Sequence, residues 1–347
     1  MSEPPSLLEP SASGAGKRRL VFWGRLFAWA ALLGCLVLFA RSLHWSTVKA
    51  AFTAADLRLA LLALLTGLPC TLLQGLRWFS LVRAVERAPP LTVLAATYVG
   101  AAASAVLPMR AGEAVRVELL SRATGLSRAV SFGTLAIDHT VNGMVMFLFA
   151  AALPLLLPVP RWLAALIWGG ALAAAGLVLF MLRLGKVQGE KQRQPVGPGL
   201  RGRIDDVVQR LRGGLVGLRN PRASLPAALA SAGAWGLEIY VTMLALEAFQ
   251  LPHDLAHAMG VLFGVNLAQI IPALPANLGN FELGAGMALV AFGGSSEKAA
   301  AFALGFHAMQ LFPTLLGGAL FLPFFRPARL AAKRARQRLQ ASPSTRR

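Results

Sequence analysis

Apolar runs long enough to cross a bilayer alternate along this chain with short basic segments. A hydrocarbon core of roughly 30 Å takes about 20 apolar residues as a helix. Residues 20–40, broken only by Arg25, and the uncharged stretches 59–76 and 162–182 meet that requirement. Further apolar segments cover 91–107, 129–159, 223–249, 255–274, 281–292 and 299–325. The pattern predicts an all-α polytopic membrane protein with about six full transmembrane helices and two re-entrant helical hairpins.

The hairpins follow from where the charges fall. The 347 residues hold 34 Lys and Arg against 15 Asp and Glu, and only 14% of the chain is charged while 56% is hydrophobic. Lys17, Arg18 and Arg19 precede the first apolar stretch, which is too long for the core of a cleaved signal peptide and reads as a retained anchor. With the N-terminus cytoplasmic, Arg77, Arg83 and Arg87 fall inside. Segment 91–107 is then flanked by positive residues on both sides, with Arg110, Arg116, Arg122 and Arg128 following it. A full crossing would put those four arginines outside, whereas a hairpin that turns at Pro108 and returns through 111–120 keeps both flanks cytoplasmic. The loop 183–222 carries ten basic and three acidic residues, and the tail beyond Phe325 carries eight basic and no acidic ones. Segment 255–292 must enter and leave from the other side, turning at 272–279. Only Arg41, Lys49, Arg58, Arg161 and Lys298 then lie outside, the asymmetry that the positive-inside rule expects.

This divides the chain into a disordered cytoplasmic tail (1–19), a single transmembrane domain (20–325) and a basic cytoplasmic tail (326–347). Within the domain, a first repeat at about 57–184 and a second at about 223–325 flank a basic loop at 185–222. In that loop 188–199 reads as a linker, and 204–218 as either an amphipathic surface helix or a solvated basic stretch.

The repeat rests on Pro108, Gly112, Gly125 and His139, which match Pro275, Gly279, Gly293 and His307 at offsets of 167 or 168 residues. Upstream, Gly75-Leu76-Arg77 aligns with Gly236-Leu237-Glu238. An odd number of crossings separates the two copies, so the second is inverted. Inverted repeats with broken helices characterise transporters, whose sites lie where the repeats meet.

The net charge of +19 is spread over loops without interleaved aromatics, which excludes a nucleic-acid surface and points to anionic lipid headgroups. Cys35 and Cys70 sit in apolar spans, so neither a disulfide framework nor a CxxC site is available. GxSxG, HExxH and P-loop motifs are absent, and the five histidines lack ligand spacing; no cofactor, metal or catalytic residue is expected.

Polar residues inside the apolar segments are the candidates for function. In the first hairpin, Gly112 lets the backbone turn and Glu113 is spaced to face both Arg110 and Arg116, either as an internal ion pair or as a phosphate-binding arginine set. Asp138, His139 and Asn142 serve coupling or helix packing. In the second hairpin, Asn277, Gly279 and Glu282 precede a helix whose N-terminal N–H groups could take an anion, with Glu282 capping them, binding a cation or pairing with an arginine. Glu238, Tyr240, Asn266, Gln269, His307 and Gln310 form a second tier.

Leu107-Pro108-x-Arg110-x-Gly112-Glu113-x-x-Arg116 and Pro272-x-x-Pro275-Ala276-Asn277-Leu278-Gly279-x-x-Glu282 resemble the transmembrane domain family of lysylphosphatidylglycerol synthase/flippases, over roughly 20–325. The family usually carries Pro-Gly-Gly where this chain has Pro275-Ala276-Asn277, and a Glu-Arg pair followed by Asp where it has Asp138-His139 and Asn142. The resemblance implies movement of a phospholipid or lipid-linked headgroup between leaflets of a bacterial inner membrane. The soluble aminoacyl-transferase domain of bifunctional members has no counterpart here, so no enzyme activity is expected. A partner that makes lipid or envelope material would fit a scaffold role, and an intramembrane enzyme acting on a lipid phosphate or polyprenyl-linked substrate is the alternative.

Overall fold

The computed structural model describes residues 45–107, 111–156, 159, 161–186, 216–270 and 275–325. The expected first span, Pro108 to Arg110 at the first hairpin turn, residues 271–274, most of the basic loop and both tails lie outside the described residues.

Every described element is helical. In order they are α1 (Trp45–Ala54), α2 (Leu57–Leu65), α3 (Gly67–Val82), α4 (Pro90–Val106), α5 (Gly112–Thr124), α6 (Arg128–Ala150), the single turn α7 (Leu153–Leu156), α8 (Arg161–Lys186), the single turn α9 (Val216–Arg219), α10 (Pro221–Ala248), α11 (Leu255–Ala268), α12 (Asn280–Ala291) and α13 (Ser296–Phe321), with 3-10 turns at Pro275–Asn277 and Leu322–Phe325. Five stretches are long and apolar enough to cross a membrane: Leu57–Val82, Arg128–Leu156, Leu163–Phe180, Pro221–Ala248 and Ser296–Phe325.

The outward faces are apolar. Only 6% of the Leu163–Phe180 stretch is buried, and Leu172 and Leu155 are 75% and 79% exposed. Apolar surface on that scale needs lipid around it. The interior is tightly packed, with Trp78, Leu81, Leu120, Ile137, Phe302 and Phe306 fully enclosed.

Two runs of four elements share one order: a long helix, two short helices, a long helix. The first is α2–α3, α4, α5, α6; the second is α10, α11, α12, α13. The short helices hold 17, 13, 14 and 12 residues. At 1.5 Å per residue, even the longest reaches only about 26 Å, short of the roughly 30 Å core.

Each short pair packs side by side through glycine. A Cβ on Gly112 would lie 2.1 Å from the Gly100 carbonyl oxygen, and one on Gly284 would lie 2.5 Å from that of Gly264. Small residues at such contacts bring backbones together where apolar burial gives helices little reason to associate. The exits match as well. Gly125 (φ 80°) ends α5 and Gly293 (φ 87°) follows α12, and two residues on, Ser127 and Ser295 cap the next helix by accepting from the N–H groups of Val130 and Lys298.

Candidate functional site

The two runs enclose a cavity of about 350 Å³ whose wall carries charged and amide side chains inside an otherwise apolar molecule. Three groupings compose it.

The first centres on Asp138, which is fully buried on α6. Arg77 of α3 grips it in two places, with Nε 2.7 Å from Oδ1 and Nη2 3.2 Å from Oδ2. The other edge of the same guanidinium donates to Asn142 Oδ1 at 2.5 Å, an oxygen that also accepts from the Trp235 indole at 3.2 Å. Asp138 and Asn142 stand one turn apart on α6, which is why one arginine reaches both. Such a fixed, planar fork suits Arg better than Lys.

Arg116 of α5 is held much more loosely. It makes one hydrogen bond to Asp138 Oδ2 at 3.3 Å and sits 3.8 Å from Glu113. Its guanidinium lies 4.1 Å from the centre of the Trp78 ring, a cation–π contact. Its Nε is buried with no acceptor among the described residues, as is Glu113 Oε2 with no donor. Asp138 and Glu113 stand against Arg77 and Arg116, and of the two arginines Arg116 is the one whose donors are largely unspent among the described residues.

The second grouping is a pair of His–Glu contacts. His139 Nε2 is 3.3 Å from Glu113 Oε1, and His307 Nδ1 is 2.6 Å from Glu282 Oε1. In both, a histidine on a long helix meets a glutamate in the first turn of the second short helix. They differ in access: the His139 side chain is 47% exposed and that of His307 is 8%. Glu282 Oε2 also accepts the Gly279 N–H at 2.7 Å, capping α12 from within the chain, so it is committed to His307 and to the cap and not to an arginine. Phe281 stacks on the His307 ring at 4.3 Å.

The third grouping is rich in amides. Gln310 of α13 donates to Glu238 of α10 at 2.8 Å, and Asn277 donates to Gln269 at 3.3 Å. Gln310 stands 168 residues beyond Asn142, so Arg77 with Asn142 and Glu238 with Gln310 are matched contacts of opposite charge. Next to Asn277, Ala276 lines the cavity with φ 58°, and Asn277 itself has φ 55°. Two successive left-handed residues explain the glycines that the family usually carries at these two positions.

Gly112, Glu113, Arg116, Asp138, His139, Asn142, Glu238, Asn277, Glu282 and His307 thus come together at or just behind one cavity, with Gly279 in the turn that leads into α12. Arg110 lies outside the described residues. Tyr240 is 48% exposed and does not contribute to the wall. Sequence reasoning missed Arg77: it ends a charge-free run and reads as a cytoplasmic flank, whereas α3 continues to Val82 and buries it to 3%. Its alignment with Glu238 was the available signal. Gln74, Thr97, Ser104 and Trp235 are further lining residues that carried no motif.

Helices long and apolar enough to cross a membrane, packed around a charged chamber, define an integral membrane protein. The chain belongs to the family of the lysylphosphatidylglycerol synthase TM region, whose family model matches residues 22–318. It is an integral membrane protein of lipid biosynthesis or transport. No curated protein sequence and no solved structure matches it.

Proposed function

We propose that this protein is a lipid flippase, moving an anionic phospholipid or lipid-linked headgroup between the leaflets of a bacterial inner membrane, with both termini cytoplasmic. The observation that carries this reading is the polar cavity, with the loosely held Arg116 on its wall. A phosphate in the cavity would give the remaining Nη donors of Arg116 the acceptors they lack. Arg77, committed to Asp138 and Asn142, fixes the frame around it.

The four-element runs are read as an inverted repeat whose short pairs are re-entrant hairpins entering from opposite sides. Their lengths and their matched glycines, serine caps and His–Glu contacts support that reading. The headgroup would pass between the hairpins while acyl chains stay in lipid, and rocking of one run against the other would expose the cavity alternately. The Lys and Arg residues of the basic face would draw anionic lipid to it.

Two experiments test this. Vesicles containing the purified protein should exchange fluorescent anionic lipid between leaflets much faster than protein-free vesicles, and equal rates would contradict transport. Cysteines placed at Arg128 and at Glu297, both exposed in the first turns of α6 and α13, should label from opposite sides of the membrane. Labelling from the same side would contradict the inversion.

A further inference from the structure

The matched charges of the two runs are answered differently. Arg77 has Asp138 as its counter-ion and Asn142 as its amide partner. Glu238, its counterpart in the second run, has only the amide. Gln310 stands where Asn142 stands, but the position matching Asp138, again 168 residues on, holds the fully buried Phe306. Glu238 Oε2 accepts from Gln310 at 2.8 Å, and the Cys70 thiol of α3 lies beside the same carboxyl. No Lys, Arg or His pairs with Glu238 among the described residues.

The other carboxylates at the cavity all have basic partners. Asp138 of α6 faces Arg77 of α3 and Arg116, Glu113 faces Arg116 and His139 of α6, and Glu282 faces His307 of α13. The remaining Asp, Glu, Lys, Arg and His residues described on α10 and on the helices packed against it do not line the cavity. Glu238 is thus the one carboxyl in this chamber, among the described residues, without a basic group beside it.

We propose that Glu238 is the binding site of a proton that crosses with the anionic headgroup, one proton for each lipid. The lipid in this scheme rests on the flippase reading; the proton rests on Glu238 and its neighbours.

The partners suit a group that gains and loses a proton. A guanidinium only donates, so Arg77 satisfies a carboxylate and not a carboxylic acid. An amide donates from its NH2 and accepts at its C=O, so Gln310 can satisfy Glu238 in either state by turning over, and a thiol does the same more weakly. A metal cation would instead need several oxygen ligands, whereas an N–H and a thiol are what surround this carboxyl. Glu238 and Arg116 line the same cavity of about 350 Å³, which is polar and roomy enough for water to reach both. An anion entering beside an ionised Glu238 would put two unanswered negative charges in one apolar chamber. The entering phosphate therefore draws a proton from cavity water on to a Glu238 oxygen. When the lipid leaves on the other side, that repulsion ends and the proton returns to water there.

Vesicles containing the full chain and a trace of acyl-labelled phosphatidylglycerol test this. A singly charged anionic lipid that crosses with one proton moves no net charge. Under a pH difference of about one unit, the wild type should enrich the labelled lipid about tenfold in the leaflet facing the more alkaline solution. Protein-free vesicles should not respond on the same timescale, and a membrane potential alone should produce no enrichment. Glu238→Gln should lose the enrichment, and Glu238→Asp, which keeps a carboxyl, should retain it. A second readout needs no transport: infrared difference spectra of the full chain between acid and alkaline solution should contain the carbonyl stretch of a protonated carboxyl that Glu238→Gln removes. Wild-type exchange that ignores the pH difference, enrichment driven by potential, enrichment that survives in Glu238→Gln, or spectra without that carboxyl would each overturn the proposal. The two readings fail separately. Exchange without enrichment leaves the flippase and removes the coupled proton, whereas no exchange under any condition removes the flippase, and the proton site then stands or falls by its infrared band.

Discussion

Arg77 and Asp138 form a two-point contact between α3 and α6 in which both side chains are almost wholly enclosed, at 4% and 0% exposure. Removing one member of a buried ion pair strands the other charge, which typically costs about 3–5 kcal/mol. Asp138 balances two arginines and Arg116 makes only one long hydrogen bond to it. The loss of thermal stability should therefore follow the order Asp138→Ala, then Arg77→Ala, then Arg116→Ala. Melting of the detergent-solubilised variants checks this, and a larger loss for Arg116→Ala than for Arg77→Ala would contradict the division into a frame and a ligand-binding arginine.

The glycine contacts within the short-helix pairs predict a second pattern. Gly112→Ala and Gly284→Ala each drive a methyl group against a backbone carbonyl and should cost roughly 1–3 kcal/mol. Gly286→Ala lies on the same helix as Gly284 but meets nothing within 4 Å, so it should be neutral or slightly stabilising. Melting temperatures of the three variants separate close packing from a general intolerance of these helices to substitution.

At Ala276 the backbone is left-handed, which costs an ordinary residue about 1–2 kcal/mol relative to its usual conformations. Glycine avoids that cost, so Ala276→Gly should raise the melting temperature, while Ala276→Val should lower it. A β-branched residue tolerated there as well as glycine would contradict the left-handed turn.

Much of this architecture was legible in the sequence because apolar length and charge placement report directly on membrane crossing. Residues 91–107 were set apart by their flanking charges and 255–292 by the need to enter and leave from one side, and these segments hold the short helices α4, α11 and α12. Glu113, Asp138, His139 and Asn277 stood out because a polar group in an apolar run needs a reason. Arg77 did not stand out, since an arginine at the end of an apolar run looks like a flank, and only the three-dimensional approach of α6 shows that its partners lie 61 and 65 residues away. The left-handed turn at Ala276 was invisible for a related reason: alanine carries no conformational signal, and only the departure from the family's glycines marked the place. The contrast between the open His139–Glu113 contact and the sealed His307–Glu282 contact depends on packing that no spacing encodes.

The central claim is that a lipid phosphate passes through the cavity by way of Arg116. Leaflet exchange of a fluorescent anionic lipid in vesicles containing matched amounts of folded wild-type protein and the Arg116→Ala variant tests it most directly. Transport through this site predicts at least a tenfold slower exchange in the variant, the cost of losing a charge-assisted contact of about 1.5–3 kcal/mol. Exchange at the wild-type rate would contradict it.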